Sequence, residues 1–368
     1  MPRKIALHII QDLDVAGAQT VVMNYLRWFY NDPDVEIRVA VLGSNKHSAY
    51  SEECATSGYN VRYYDYIPWL KVPLLRTIVN WIKMNRLVAK AIKTDNPDII
   101  HSHQTYIIPY TCLPFLFSKI KKRYHTLHSD PYAIPKQQTK WARFAFKHCG
   151  ITPVCVTLQQ AKKAENKYGI SQYYIIRNGL DTSVYSASVE ASEVKKELGI
   201  TENVKVFGCV SRLSKIKNFD FLLKTFAEYH RLHQDSILLL VGDGEEKSHI
   251  IDFSKELGIY DCLLLAGQQG NVAKYYKILD VFMLTSFFES SSIVTVEAQL
   301  SGIRCVVADS IPADVVITDK VNRIPLNAPI ETWVKGMEGV LPFEKNIYPS
   351  EIFTKEGIIN ELKKLYEI

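Results

Sequence analysis

The chain has 368 residues, of which 47% are hydrophobic and 23% charged, and its formal net charge is +5. That length accommodates two domains with separate cores, and the balance is ordinary for a globular protein. No repeat of solenoid period and no low-complexity tract runs through it, so an array or a disordered chain is excluded.

At the N-terminus, Met1-Pro2-Arg3-Lys4 precedes an apolar run, 5–10, too short for a signal peptide and without a small-residue cleavage site. A series of apolar, β-branched segments follows, at 36–42, 61–64, 99–103, 124–128 and 151–156, with a last one at 173–177. Helical stretches at 18–29, 74–94 and 141–147 lie between them. The longest apolar stretch, 107–117, is interrupted by Pro109 and Pro114 and cannot span a bilayer. Asn178-Gly179 signals a turn, and a polar stretch, 181–193, separates this series from a second. The second series has strands at 204–210, 237–241, 263–266, 281–284 and 305–308. Residues 350–368 carry apolar side chains at Ile352, Ile358, Ile359, Leu362 and Leu365, spaced for a final amphipathic helix. Strands of this kind alternating with helices form parallel sheets covered on both faces. The expected fold class is therefore α/β, with two Rossmann-like domains facing across a cleft and ligands at the carboxyl ends of the strands. Domain boundaries are expected at 1–181 and 182–349, with 350–368 as a helix packing back on the first domain.

Charge is distributed unevenly. Up to Tyr185 there are 24 Lys and Arg against 13 Asp and Glu, and beyond it 20 against 26. The basic half suits an anionic surface, and aromatic residues interleave with its cations: Phe115 and Phe117 precede Lys119, Lys121, Lys122 and Arg123, and Trp81 accompanies Lys83, Arg86, Lys90 and Lys93. No zinc-finger, RNP or helix–turn–helix signature points to nucleic acid. The seven cysteines have neither CxxC nor metal-ligand spacing, as in a reduced, cytoplasmic protein.

The chemistry-bearing residues follow strand ends. Arg212 and Lys217 flank the exit from strand 204–210, where cations beside a helix N-terminus suit a diphosphate. Gly242-Asp243-Gly244 follows the next strand, and its glycines let backbone approach a ligand closely. It is not a GxGxxG dinucleotide fingerprint. Glu289 lies in the loop after strand 281–284, and Glu297 is eight residues on, inside the following helix. A carboxylate there can hold sugar hydroxyls by charge-assisted hydrogen bonds. Near the N-terminus, Gly17 opens a helix after a loop containing Asp12 and Asp14, a DxD spacing too close to the chain start to be read as a metal site. His128 and His103 both end strands, and on their own both read as structural.

In this order the motifs resemble the retaining glycosyltransferases of family four, which have the GT-B architecture. The resemblance covers nearly the whole chain. It rests on Ala16-Gly17-Ala18, Asn178-Gly179-Leu180-Asp181, Arg212 with Lys217, Gly242-Asp243-Gly244, and Glu289 to Glu297. The segment 304–326 looks most like transferases of bacterial exopolysaccharide and capsule synthesis. The resemblance implies a metal-independent, retaining hexosyltransferase without a cofactor. Its donor would be a nucleotide sugar, a UDP-sugar ahead of a GDP-sugar. Its acceptor would be an oligosaccharide or lipid-linked glycan in exopolysaccharide, capsule or O-antigen synthesis; the basic first half and its aromatic–basic patches, rather than the resemblance, suggest that it is reached from a peripheral position on an anionic inner membrane face. Arg212 and Lys217 would hold the diphosphate, approached by Gly17 and Gly242. Glu289 and the backbone of Ser290, Ser291, Ser292 and Ile293 would hold the sugar, Glu297 the ribose, and His128 would stand near the reacting carbon. The pattern departs from the family at Ala16, Ser211 and Ser290, where glycine is usual, and Ser292 stands where proline is frequent. Two other readings fit the same residues: a nucleotide-sugar epimerase of the same fold, and a non-catalytic sugar-nucleotide-binding protein of a polysaccharide assembly complex.

Overall fold

The computed structural model describes residues 2–43, 48–65, 73–186 and 190–368, except for the side chains of 73–76 and 186. Of the polar stretch 181–193, residues 187–189 lie outside the described residues. The chain divides into two compact units, Met1–Gly179 with Lys355–Ile368, and Leu180–Thr354.

The first unit holds a seven-stranded sheet formed by β1 (Lys4–Ile10), β2 (Val35–Val41), β3 (Val61–Tyr63), β4 (Ile99–His103), β5 (Lys122–Thr126), β6 (Thr152–Cys155) and β7 (Tyr174–Ile175). Their order is β3-β2-β1-β4-β5-β6-β7, with every pairing parallel. Alternation along β1 divides the core. Ala6 and Ile10 join one cluster with Leu26 and Tyr124, and Leu7 and Ile9 join another with Val88 and Phe115. The sequence-expected strand 124–128 ends at Thr126, so His128 stands beyond it in a loop. The final helix, Lys355–Tyr366, buries Ile358, Leu362, Leu365 and Tyr366 in the first of these clusters. Tyr124 donates to the Leu365 carbonyl at 2.8 Å, and Lys363 pairs with Asp32 and Asp34 at 2.8 and 2.7 Å, fixing the helix at both edges.

The second unit holds a six-stranded sheet formed by β8 (Lys205–Val210), β9 (Ser236–Val241), β10 (Leu263–Gly267), β11 (Val281–Leu284), β12 (Arg304–Ala308) and β13 (Val321–Ile324). Its order is β10-β9-β8-β11-β12-β13, again wholly parallel. Its core is one cluster around Phe207, Phe226, Phe282 and Trp333. Strand β13 is absent from the sequence-based expectation because Asn322 and Arg323 interrupt its apolar pattern. The Asn322 amide instead reaches the Pro342 carbonyl at 2.8 Å, which lets it be buried.

In both sheets the first strand of the unit pairs on one side with the second and on the other with the fourth. At such a switch point successive connections leave for opposite faces, and the two strand ends open a crevice.

Candidate functional site

In the second unit the switch point lies between β8 and β11, and the loops leaving them are fastened to each other. The Phe287 amide donates to the Ile216 carbonyl at 2.8 Å. The Thr285 hydroxyl lies 3.1 and 3.0 Å from the carbonyls of Lys217 and Asn218. Asn218 takes a left-handed conformation, φ 55°, to turn the chain into helix Phe219–Leu232. The result places the Lys217 ammonium 2.5 Å from Glu289 Oε1, and the Ser286 hydroxyl donates to that same oxygen at 2.7 Å. Only 16% and 12% of the two side chains is exposed. A partly shielded pair of this kind loses most when one member is removed, because the other charge is left without compensation.

Arg212 does not join the pair. Its guanidinium is 75% exposed and lies 3.1 Å from the half-exposed Glu245 carboxylate. Such a solvent-screened surface contact holds the side chain only weakly, so an incoming anion can displace it. The glycines of Gly242-Asp243-Gly244 have a local cause that differs from the one inferred from sequence. Gly242 sits at φ 141°, and a Cβ there would overlap the Ser211 carbonyl; one on Gly244 would overlap that of Leu213. The close approach is thus to the loop carrying Arg212, and the Leu213 amide seals it by donating to the Asp243 carbonyl at 2.9 Å.

Beyond Glu289 the chain enters helix Ile293–Leu300 through Ser292, a non-glycine residue at φ 41°. That conformation costs about 1–3 kcal/mol and persists where surroundings impose it, often at functional sites. The Ser292 hydroxyl faces that of Thr295 at 2.7 Å. Ser291 is 5% exposed, and its hydroxyl is buried without a hydrogen-bond partner. The opening N–H groups of a helix lack intrahelical acceptors, so Ser290, Ser291, Ser292 and Ile293 frame a polar, electropositive corner beside Glu289.

Glu297, one side of the same helix, is buried. Its Oε1 accepts from the Tyr185 hydroxyl at 2.6 Å, and its Oε2 accepts from that of Tyr276 at 2.8 Å. Burial raises its pKa and outweighs the two phenol donors, which lower it. Each carboxylate oxygen retains a second lone pair with which to accept a ligand hydroxyl. Neither tyrosine was singled out from sequence: they lie 112 and 21 residues from Glu297 and carry no motif. Ser286 and Glu245 adjoin the sequence motifs but carry no signal of their own.

In the first unit Gly17 is exposed at the start of helix Gly17–Trp28, and a side chain there would meet nothing within 4 Å. Asp12 accepts from the Gln19 amide at 2.6 Å and from the Asp14 N–H at 3.3 Å, the geometry of a capped turn. His128 is partly exposed, with Nε2 3.0 Å from Nδ1 of the fully buried His103. Burial lowers its pKa to about 4. Nitrogens of His8, His101 and His103 lie within 4.8 Å of one another, close enough to suggest a metal. All their ring nitrogens already have hydrogen-bond partners. Among the described residues no helix is long and apolar enough to cross a membrane.

Two outcomes follow from this geometry. Gly242→Ala is expected to lower the thermal midpoint by several degrees, corresponding to about 1–3 kcal/mol, whereas Gly17→Ala leaves it unchanged. Equal midpoints would contradict the assignment. Glu297→Gln removes a carboxylate whose folded-state pKa is raised, and a raised carboxyl disfavours folding once it ionises. The variant should therefore be more stable than the parent at pH 8, and the gain should shrink as pH falls through the raised pKa; denaturant titration at several pH values reads this.

Residues 15–184 match the model described as Glycosyltransferase Family 4, and residues 190–345 that of Glycosyl transferases group 1. Over 352 residues the chain is 25% identical to a putative glycosyltransferase, EpsF, of Bacillus subtilis, an alignment taking in 90% of this chain and 86% of that one. It is also 25% identical, over 65% of each chain, to the UDP-Gal:alpha-D-GlcNAc-diphosphoundecaprenol alpha-1,3-galactosyltransferase of Escherichia coli. Among solved structures, Anabaena HepE in complex with UDP-glucose superposes with a TM-score of 0.76 at 18% identity, covering 100% of both chains. At that identity the likeness speaks for the fold. With one glycosyltransferase model on each half and a GT-B fold throughout, the chain belongs to the family-four glycosyltransferases.

Proposed function

We propose that the protein moves a hexosyl group, with retention of configuration, from a UDP-sugar to a lipid-linked glycan in bacterial exopolysaccharide, capsule or O-antigen synthesis. The observation that carries this is the shielded Lys217–Glu289 pair at the switch point of the second sheet, with Arg212 weakly held nearby. An ammonium has three donors, so Lys217 can keep Glu289 and still donate to a phosphate oxygen. Arg212 can leave Glu245 for the same diphosphate. As the anomeric C–O bond breaks, charge grows on the departing nucleoside diphosphate. Fixed cations and a helix N-terminus aimed at that charge favour the transition state over the ground state. Those groups supply the charge that a metal supplies elsewhere, so no metal or cofactor is assigned a step. Glu289, oriented by Lys217 and Ser286, accepts from sugar hydroxyls, and the Ser291 hydroxyl and the N–H groups of 290–293 complete that pocket. Glu297 accepts from the ribose. By family likeness, Gly17 is assigned to the donor's phosphates and His128 to its sugar. The acceptor hydroxyl attacks on the face the leaving group departs from, and the departing phosphate takes its proton.

Support for the donor comes from HepE, which was solved with UDP-glucose, and for the acceptor from the Escherichia coli relative, named for a diphosphoundecaprenol substrate. For a membrane-borne acceptor, the reading is supported by the surface of the first unit. A groove of about 450 Å³ between helices Pro73–Asp95 and Ile108–Phe117 is lined by Trp81, Ile82, Leu113 and Phe117, and rimmed by Arg86 and Lys93. Phe117 is 79% exposed. An apolar floor with a cationic rim suits an anionic bilayer surface, where each cation contributes about 1 kcal/mol. A second reading, a sugar-nucleotide binder without turnover, is favoured only by Ser211 and Ser290 in place of glycine.

A screen of UDP- and GDP-sugars for nucleotide release, over a panel of lipid-linked acceptors, should give turnover with a UDP-sugar. Donor binding without turnover would favour the second reading. Lys217→Ala and Glu289→Ala should each cut transfer by at least about tenfold, and up to the 10²–10³-fold typical of losing one such group. UDP binding should weaken only in Lys217→Ala, since Glu289→Ala removes a negative charge beside the phosphates. Near-normal rates in both folded variants would refute the assignment. Vesicle flotation should bring the protein up with anionic vesicles and leave it behind with neutral ones; equal recovery would remove the membrane surface from the account.

A further inference from the structure

Two neighbouring strands of the first sheet, β1 and β4, place imidazoles on one face, and β5 adds Thr126 beside them. His8 on β1 pairs in register with His101 on β4, and His103 on β4 pairs with Thr126 on β5. The final helix lays Tyr366 over them. A continuous line of hydrogen bonds results. Thr126 Oγ1 lies 2.7 Å from His101 Nε2, and His101 Nδ1 lies 2.8 Å from the Tyr366 hydroxyl. That hydroxyl is 3.1 Å from His8 Nε2, and His8 Nδ1 is 2.9 Å from His103 Nε2. His103 Nδ1 is 3.0 Å from His128 Nε2. His8, His101, His103 and Tyr366 are wholly buried, Thr126 is 2% exposed, and only His128 reaches the surface.

The chemistry of the links couples them. Burial holds these imidazoles neutral, bringing the His8 pKa to about 3 and those of His101 and His103 well below the usual value. A neutral imidazole has one N–H and one lone pair, on different nitrogens. Each buried ring uses both nitrogens in the line, so if it donates on one side it accepts on the other. The tyrosine hydroxyl, donating one way and accepting the other, passes the same direction on. Two ordered arrangements satisfy all the links. In one, every donor points toward His128, whose Nε2 accepts and whose Nδ1 carries the proton. In the other, every donor points toward Thr126, and His128 presents a bare Nδ1. A mixture within one molecule leaves two N–H groups or two lone pairs facing each other in a buried place, which is costly.

We propose that Tyr366 is a positioning residue: through His8 and His103 it fixes which ring nitrogen of His128 bears the proton, and so ties docking of the final helix to the face His128 offers a sugar. The consequence for transfer rests on the assignment of His128 to the donor sugar. The tautomer coupling itself does not.

The test is nitrogen NMR on the full chain labelled at histidine, near pH 7.5, with Tyr366→Phe as the variant. Phenylalanine keeps the ring and deletes the hydroxyl shared by His8 and His101. In the parent, His8, His103 and His128 should each show one tautomer. In Tyr366→Phe, the His128 nitrogens should move toward averaged values, although His128 does not touch residue 366. With donor and acceptor present, kcat should fall roughly two- to tenfold, the rate equivalent of one hydrogen bond, with the donor KM unchanged. Unmoved His128 nitrogens in a folded Tyr366→Phe would overturn the proposal. So would mixed tautomers at His128 in the parent, a result that needs no variant. One equivalent of zinc shifting His8, His101 and His103 together would show a metal site in place of the line and overturn it as well. If the tautomers respond as expected while the parent shows no sugar transfer, the coupling stands and the proposed function is what fails.

Discussion

A lysine and a glutamate held together out of bulk water, where two adjacent parallel strands send their connections to opposite faces, organise the second unit. The Lys217–Glu289 contact depends on backbone bonds between the loops leaving β8 and β11, and those loops meet because their strands are neighbours. The rest of the corner is arranged around this pair. Arg212 hangs from a loop whose path requires glycine at 242 and 244, and Ser292 bends the chain into the helix that carries Glu297. Parallel-sheet topology thus converts residues far apart in sequence into one electropositive corner with carboxylates at its edges.

That corner departs from what stability alone would select. It contains a serine in a left-handed conformation, a buried hydroxyl without a partner on Ser291, and a buried carboxylate whose ionisation is opposed by its surroundings. The two phenols on Glu297 reduce the last cost without removing it. A left-handed serine, an unpartnered buried hydroxyl and a disfavoured carboxylate gathered beside one shielded ion pair are the pattern expected of a site kept for binding.

Much of the architecture was legible in the sequence, because apolar β-branched strands alternating with helices admit few arrangements. Strands β4 and β11 fall where the pattern put them. Strand β13 escaped because Asn322 and Arg323 hide its period. The charged residues of the corner were visible through their positions after strands and through family resemblance. Their partners were not, since Tyr185 and Tyr276 reach Glu297 only through the fold. The glycines at 242 and 244 stand out in the sequence, but their close approach to the loop carrying Arg212 does not: sequence marks a place where backbone must come close without saying to what. His103 was read as a structural histidine at a strand end, and its burial agrees. Its place in a line from Tyr366 to His128 depends on the register of three strands and on a helix residue about 260 positions further along the chain.

The central claim is that the corner around Lys217 receives the diphosphate of a sugar nucleotide, and a crystal structure of the full chain with UDP-glucose tests it most directly. The account predicts phosphate oxygens within hydrogen-bonding distance of the Lys217 ammonium, Arg212 turned away from Glu245 toward them, and Glu289 against the sugar hydroxyls. A nucleotide bound elsewhere, with the Lys217–Glu289 pair and the Arg212–Glu245 contact unchanged, would contradict it.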